Sequence, residues 1–372
     1  MDDSLKAKLI LNACLAPMSA WKAVSDEPGE FVRGAWIYGG AAEEEYARRL
    51  SLRPSSLAAL TKLIAERDWP EREMERVARF DARFVTIDDD EYPSRLKDLQ
   101  KPPIGLYIKG SLNEAKPSVA IVGTRRCSQY GKTVADALGR AMAKVGFQVV
   151  SGGAIGIDTV GHRACLAGGG ATTAVFGTAI DRVYPAENRE LFREIATQGA
   201  LVSEYPMGTG GESWHFPLRN RIIVGLAGTV VVVESPEDGG SMITARLALD
   251  AGREVWAVPG RLSDTSSRGT NALLRDGANV LCDIEDFAEK ISGYYGQLFL
   301  DLPNSGEPMD APVLSSDEKA ILEILRKREG RTLDDIMAEG GLGFVEAQTG
   351  LATLSAYGLV VSSGPGRYSA GV

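Results

Sequence analysis

Short apolar-rich runs recur along the middle of the chain, and amphipathic stretches fill the gaps between them. The runs lie at residues 119–122, 148–151, 172–176, 200–203, 230–233, 254–258 and 278–281. Runs of this length, bounded by glycine or small polar residues, predict strands buried on both faces. The first gap has a helical period, with Val134, Leu138, Ala141, Met142 and Val145 on one face, and predicts a helix starting near Tyr130. Regular alternation of strand and helix predicts an α/β fold: a doubly wound, mostly parallel sheet joined by right-handed crossovers.

The flanks follow other patterns. Residues 1 to about 75 read as helices: one marked by Leu9, Leu11 and Leu15, one at 43–50, and one at 56–66 behind an Arg53-Pro54-Ser55-Ser56 turn and cap. A bridging segment, 80–112, holds strands at 84–87 and 106–108. Pro303, Asn304, Ser305, Gly306 and Pro308 mark a linker. Beyond it, helices capped at Ser315-Ser316-Asp317 and lying at 333–338 and 344–356 precede a strand at 359–361, a Gly364-Pro365-Gly366 turn and Tyr368. Three helices and a hairpin read as winged-helix-like. The expected domains are therefore 1–78 (helical), 79–296 (the sheet), 297–311 (linker) and 312–372 (winged-helix-like).

Composition narrows the function. The net charge of −9 over 372 residues excludes a chain that is basic throughout, so any nucleic-acid site must be a local patch. In the last domain acidic side chains outnumber basic ones, which favours a protein-contact or structural role over duplex DNA binding. Four dispersed cysteines without a C-x-x-C pair fit a reducing cytoplasm and no zinc site. Two histidines exclude a multi-histidine metal centre, and no apolar run is long enough for a membrane span.

In a doubly wound sheet ligands meet the carboxyl ends of the strands, and the polar residues fall there. After the first run come Gly123, Thr124, Arg125, Arg126 and Ser128. A strand, a glycine turn and a helix start suit an anion, and two guanidinium forks add to it. It is neither an ATPase loop, since Arg126 stands where Gly131-Lys132-Thr133 would need a preceding glycine, nor a dinucleotide fingerprint, since Arg125 takes the second glycine's place. The alternative is a turn whose arginines point into solvent. Residues 151–158 bring Gly152, Gly153 and Asp158 to another helix start; Asp158 suits a sugar hydroxyl, an arginine or a cap. Trp214, Phe216, Arg219, Asn220 and Arg221 combine rings and cations as single-stranded nucleic acid requires. Equally, they suit a buried helix start whose arginines satisfy carbonyl groups. Ser241 and Thr244 follow glycines at a further helix start. No Ser/His/Asp or Cys/His arrangement and no carboxylate cluster for magnesium is visible, so the expectation is binding without catalytic residues, metal or cofactor.

Gly123-Thr124-Arg125, Ser151 to Asp158, Tyr184-Pro185, Glu187-Asn188, Ser203 to Pro206, Phe216 to Arg221, Gly240 to Ala245 and Gly269-Thr270-Asn271 together resemble the DNA-processing protein A (DprA, or Smf) family. The resemblance runs from about Tyr92-Pro93 to Ala278 and extends weakly to both flanks. It implies an extended Rossmann-like domain between a helical sterile-alpha-motif-like domain and a winged-helix-like domain. It also implies a cytoplasmic homodimer that binds and protects incoming single-stranded DNA and helps load the RecA recombinase in natural transformation, or serves general recombination. By position, Arg125 would be a main phosphate contact, with Gly153, Phe216, Arg219 and Asn220 around the pocket. Asp238 departs from the family, where many relatives carry lysine. The competing reading is a nucleotide-binding or nucleotide-hydrolysing Rossmann-like protein; the P-G-G-x-G-T-x-x-E loop of the phosphoribohydrolases is absent.

Overall fold

A computed structural model describes residues 1–32, 49–114, 116–300, 315–327, 330–356, 359–364 and 367–370. Two compact units divide the chain, residues 1–300 and 301–372.

The first unit opens with helices α1 (Asp3–Ala13), α2 (Met18–Val24), α3 (Pro54–Ile64) and α4 (Trp69–Arg79). The helix expected at 43–50 lies almost entirely outside the described residues. Strand β1 (Arg83–Thr86), the short helix α5 (Ser94–Lys97) and β2 (Gly105–Gly110) follow. Then come β3 (Ser118–Val122), α6 (Gln129–Lys144), β4 (Gln148–Ser151), α7 (Ile157–Ala167), β5 (Thr172–Phe176), α8 (Arg189–Gln198) and β6 (Ala200–Ser203). The second half of the alternation is α9 (His215–Leu226), β7 (Thr229–Val232), α10 (Gly240–Asp250), β8 (Glu254–Ala257), α11 (Arg268–Arg275), β9 (Asn279–Val280) and α12 (Ile284–Leu300). Helix α12 runs past 297, where the linker was expected to begin, because no proline interrupts the sequence before Pro303.

The nine strands form one mixed sheet in the order β1-β2-β6-β5-β4-β3-β7-β8-β9. From β6 to β9 every pairing is parallel; β2 joins antiparallel to β6, and β1 antiparallel to β2. Strand β3 lies at the middle of the parallel part, and all five of its residues are buried. Its side chains alternate between two cores, as the pleat requires. Val119 and Ile121 meet Ala135, Leu138 and Met142 of α6 and Ile157 of α7, with Phe287 and Ile291 of α12. Ala120 and Val122 meet Ile222 and Ile223 of α9 and Ala245 and Ala248 of α10. Helices thus cover both faces, which is why the central strands are apolar throughout.

The helical N-terminal segment packs on the antiparallel edge. Leu9 and Val77 share a core with Phe84, Tyr107, Phe176 and Phe192. Two buried polar groups fix the seating: Asn12 Nδ2 donates to the Glu204 carbonyl (2.8 Å), and Glu73 accepts from the Met207 amide (2.6 Å).

In the second unit, α13 (Ser316–Lys327), α14 (Leu333–Gly340) and α15 (Phe344–Ala356) enclose Ile321, Leu325, Ile336, Leu351 and Leu354. Strands β10 (Arg331–Thr332), β11 (Val360–Gly364) and β12 (Arg367–Ala370) form a sheet in the order β10-β12-β11. Residues 365 and 366 of the expected turn lie outside the described residues.

Candidate functional site

The sheet's winding reverses at β3. Successive strands β4, β5 and β6 step away on one side, whereas β7, β8 and β9 step away on the other. The loops after β3 and β7 therefore diverge and leave a crevice at the carboxyl ends, the general position for a ligand in such sheets. A cleft of about 510 Å³ opens there, walled by Gly123 to Arg126, by Ala154 and Asp158, by Phe216, Pro217, Arg219 and Asn220, and by Gly239, Gly240, Ser241, Ile243 and Thr244.

Helices α7, α9 and α10 contribute first-turn residues to this cleft, α6 begins three residues after Arg126, and these N-termini are not equivalent. Helix α6 is capped by Ser128, whose Oγ accepts from the Gly131 amide (3.0 Å). The buried carboxylate of Glu234, at the end of β7, then accepts from the Ser128 amide (2.9 Å) and hydroxyl (3.1 Å). An internal anion thus already sits at the positive end of α6. The start of α7 is built otherwise: its cap, Gly156, makes no side-chain bond to the first turn, and the carboxylate of Asp158 reaches back to the loop before the helix. Asp158 Oδ2 accepts from the amides of Gly152 (3.1 Å) and Ala154 (3.3 Å). Burial pushes the Asp158 carboxyl up, and Arg219 and these amides oppose the shift. The cap of helix α10 is Gly239, which has no side chain to bond the first turn, and Gly239, Gly240 and Ser241 line the cleft. Neither α7 nor α10 has a side-chain cap, whereas α6 has both Ser128 and Glu234 at its start.

The arginines also divide. Arg125 and Arg126 are exposed on the β3–α6 loop and both line the cleft. The Arg125 guanidinium carbon lies 5.6 Å from the centroid of the Phe216 ring, within cation–π range. Arg219 lines the cleft but is only 5 % exposed. Its Nη1 donates to the carbonyls of Gly152 (2.9 Å) and Val175, and its Nε donates to Asn220 Oδ1 (3.2 Å). Burial pulls its guanidinium down to about 10, so it remains a cation at neutral pH. Gly152 is glycine for this reason: a Cβ there would stand 2.6 Å from Arg219 Nη2 and 2.9 Å from Asp158 Oδ2. Arg221 lies outside the cleft wall. It is paired with Glu204 (2.5 Å) and also donates to the carbonyls of Lys101 (2.9 Å) and Leu218 (3.0 Å).

The sequence-derived site residues therefore separate into two groups. Gly123, Thr124, Arg125, Arg126, Phe216, Arg219, Asn220, Ser241 and Thr244 come together around the cleft. Ser128 acts as a helix cap, Gly152 and Gly153 accept from Arg219 and Asn188 beneath the cleft, and Arg221 braces a neighbouring loop. The roles of Glu234 and Asp158 as resident acids were not legible. The available signal for Glu234 was a carboxylate directly following a strand as apolar as 229–233. Asn220 is 9 % exposed, lines the cleft and accepts from Arg219 Nε through its side-chain oxygen.

The family model for DNA recombination-mediator protein A matches residues 83–292. The chain belongs to this family. Protein Smf of Synechocystis sp. is 33 % identical over 343 residues, covering 83 % of this chain and 86 % of that protein. The X-ray structure of DNA processing protein A from Streptococcus pneumoniae superposes with a TM-score of 0.64 at 29 % identity, covering 78 % of this chain and 98 % of that one. DNA processing protein A from Helicobacter pylori gives a TM-score of 0.53 at 32 % identity, covering 57 % of this chain and 97 % of that one.

In this family member the family-matched segment contains the whole cleft. Asp238 is exposed and stands one residue before the cap of α10, next to exposed Glu237. Among the described residues no group of three or more His, Cys, Asp or Glu is placed to hold a metal ion, and no helix is long and apolar enough to cross a membrane.

Proposed function

We propose that the cleft holds one unpaired DNA strand without cutting it, and that the protein protects such strands and delivers them to a RecA recombinase. In this reading the protein works as a cytoplasmic homodimer in natural transformation or general recombination. The sheet unit is an extended Rossmann-like domain, and the second unit is winged-helix-like. The observation that carries the reading is the glycine-capped α10 N-terminus facing two exposed arginines and the Phe216 ring. Amides and guanidinium forks suit phosphate. An aromatic face suits a base only when that base is unpaired. The Helicobacter pylori relative is described by its single-stranded DNA binding mode, which supports the same assignment.

The test is a salt titration of single-strand affinity. Replacing Arg125 by alanine should weaken binding by about tenfold and reduce the slope of log K against log salt by about 0.7, the share of one phosphate contact. Thermal stability should hold, since Arg125 is exposed. Unchanged affinity and slope would sink the site assignment. Tighter binding of a mononucleotide than of an oligonucleotide, or release of a base from it, would favour the nucleotide-binding or hydrolysing alternative.

A further inference from the structure

The aromatic wall of the cleft continues past its rim. Phe216 lines the cleft, with the Arg125 guanidinium carbon 5.6 Å from its ring centroid. The ring of Tyr184 lies 5.3 Å from Phe216, tilted by 42°. Cation, ring and ring are thus in successive contact, starting inside the cleft and ending outside it. Phe216 is held from behind: a Cβ at Gly177 would stand 2.7 Å from its Cδ1, so the ring needs a glycine beneath it. Tyr184 has no such cover and is 51 % exposed. Arg182, two residues before it, is exposed as well. On the chain between the cleft residues Ser213 and Phe216, Trp214 packs edge-on against His215 and is 53 % exposed.

An exposed ring that touches a cleft-lining ring has one evident use. Every nucleobase has an aromatic face, and strand-binding surfaces place rings in series so that successive bases stack on them. We propose that Tyr184 is a second base-stacking platform, taking a nucleotide next to the one on Phe216, so that an unpaired strand leaves the cleft across it. The inference rests on the reading that the cleft holds such a strand, and it adds the direction of the path and a footprint longer than the cleft. The occupant is any nucleobase, because a ring face recognises no particular base edge.

The experiment measures affinity for thymidine oligonucleotides of increasing length with the full chain and with Tyr184→Ala, Tyr184→Phe, Phe216→Ala and Arg125→Ala. The expected result is a loss of about tenfold for Tyr184→Ala on long strands, the size of one stacked base. That loss should first appear at a greater length than the loss caused by Phe216→Ala. The salt slope should stay as in the unaltered protein, because no phosphate contact is removed. Tyr184→Phe, which keeps the ring face, should restore the affinity. If Tyr184→Ala binds every length normally while Arg125→Ala is impaired, the platform is wrong and the cleft assignment stands. If Arg125→Ala binds normally too, the cleft assignment itself has failed. An equal loss at all lengths also overturns the platform, since Tyr184 would then serve only to hold Phe216.

Discussion

Arg125 and Arg126 stand on the loop after β3, while Arg219 and Arg221 stand on α9, in a motif that suits phosphate and a carbonyl-satisfying helix start equally. The first pair is exposed and has the cleft before it. In the second pair, guanidinium donors go to main-chain carbonyls, to Asn220 and to Glu204. The contrast shows how one side chain serves two ends. A guanidinium left in water is a contact for a ligand, whereas a guanidinium surrounded by carbonyl oxygens is a brace for the backbone around the ligand. The helix N-termini repeat the lesson. Glu234 completes the end of α6 from within, whereas the cap of α10 is a glycine that makes no side-chain bond to the first turn.

The largest effect should come from breaking the buried side of this contrast. Arg219→Ala leaves two carbonyls and the Asp158 carboxylate facing an unfilled site, and should cost about 3–5 kcal/mol of stability in urea denaturation. Arg219→Lys should not recover it, because an ammonium lacks the planar fork that reaches Gly152, Val175 and Asn220 together. A stable Arg219→Ala protein that has lost only strand affinity would show that Arg219 belongs with Arg125 after all.

Arg221→Ala should follow, at about 2–4 kcal/mol, since it leaves Glu204 buried without its cation. Glu204→Gln made in the same protein should recover part of the loss, and chemical denaturation of the single and double variants measures the coupling.

A pH profile sharpens the comparison further. His162 is fully buried beside this region, with Nδ1 bonded to Thr172 Oγ1 (2.7 Å), and burial, helped by Arg219, pushes its imidazole down to about 3. A depressed folded value means that the unfolded chain binds the proton first. The stability is therefore complete above the ordinary histidine range near 6.5 and falls as pH drops toward 3. The slope should be about 1.4 kcal/mol per pH unit. His162→Gln should flatten that part of the curve in denaturation series run between those limits.

The smallest effect lies at the glycine-capped helix end. Asp238→Lys replaces an exposed anion next to the α10 cap by a cation and should raise single-strand affinity by a few-fold. It should also steepen the salt slope by about 0.7, with the melting temperature nearly unchanged. No change in the slope would place the bound phosphates away from α10.

The inner strands were legible because each is a short apolar run closed by glycine or a polar residue, whereas the run at 278–281, expected to be buried on both faces, forms only β9, an exposed two-residue strand at the sheet's edge that has a neighbour on one side alone. Helix α4 was not singled out, since Trp69–Arg79 is mostly charged and its contribution is a narrow apolar stripe with Glu73 turned inward. At the site, the loops were legible from glycine followed by small or cationic residues. Which cations stay in water was not. Arg219 is fixed by Val175 and Gly152, 44 and 67 positions away, and Ser128 by Glu234, 106 positions away.

The sequence by itself determined the alternating α/β plan and the set of polar loops that meet at one rim, because periodicity and turn chemistry are local properties of the chain. Only the tertiary structure decided that Arg125 stays exposed at the cleft while Arg219 faces carbonyls, and that Glu234 comes to the start of α6. Those outcomes depend on which buried donor finds a distant acceptor, and desolvation makes each such pairing compulsory once the sheet has closed.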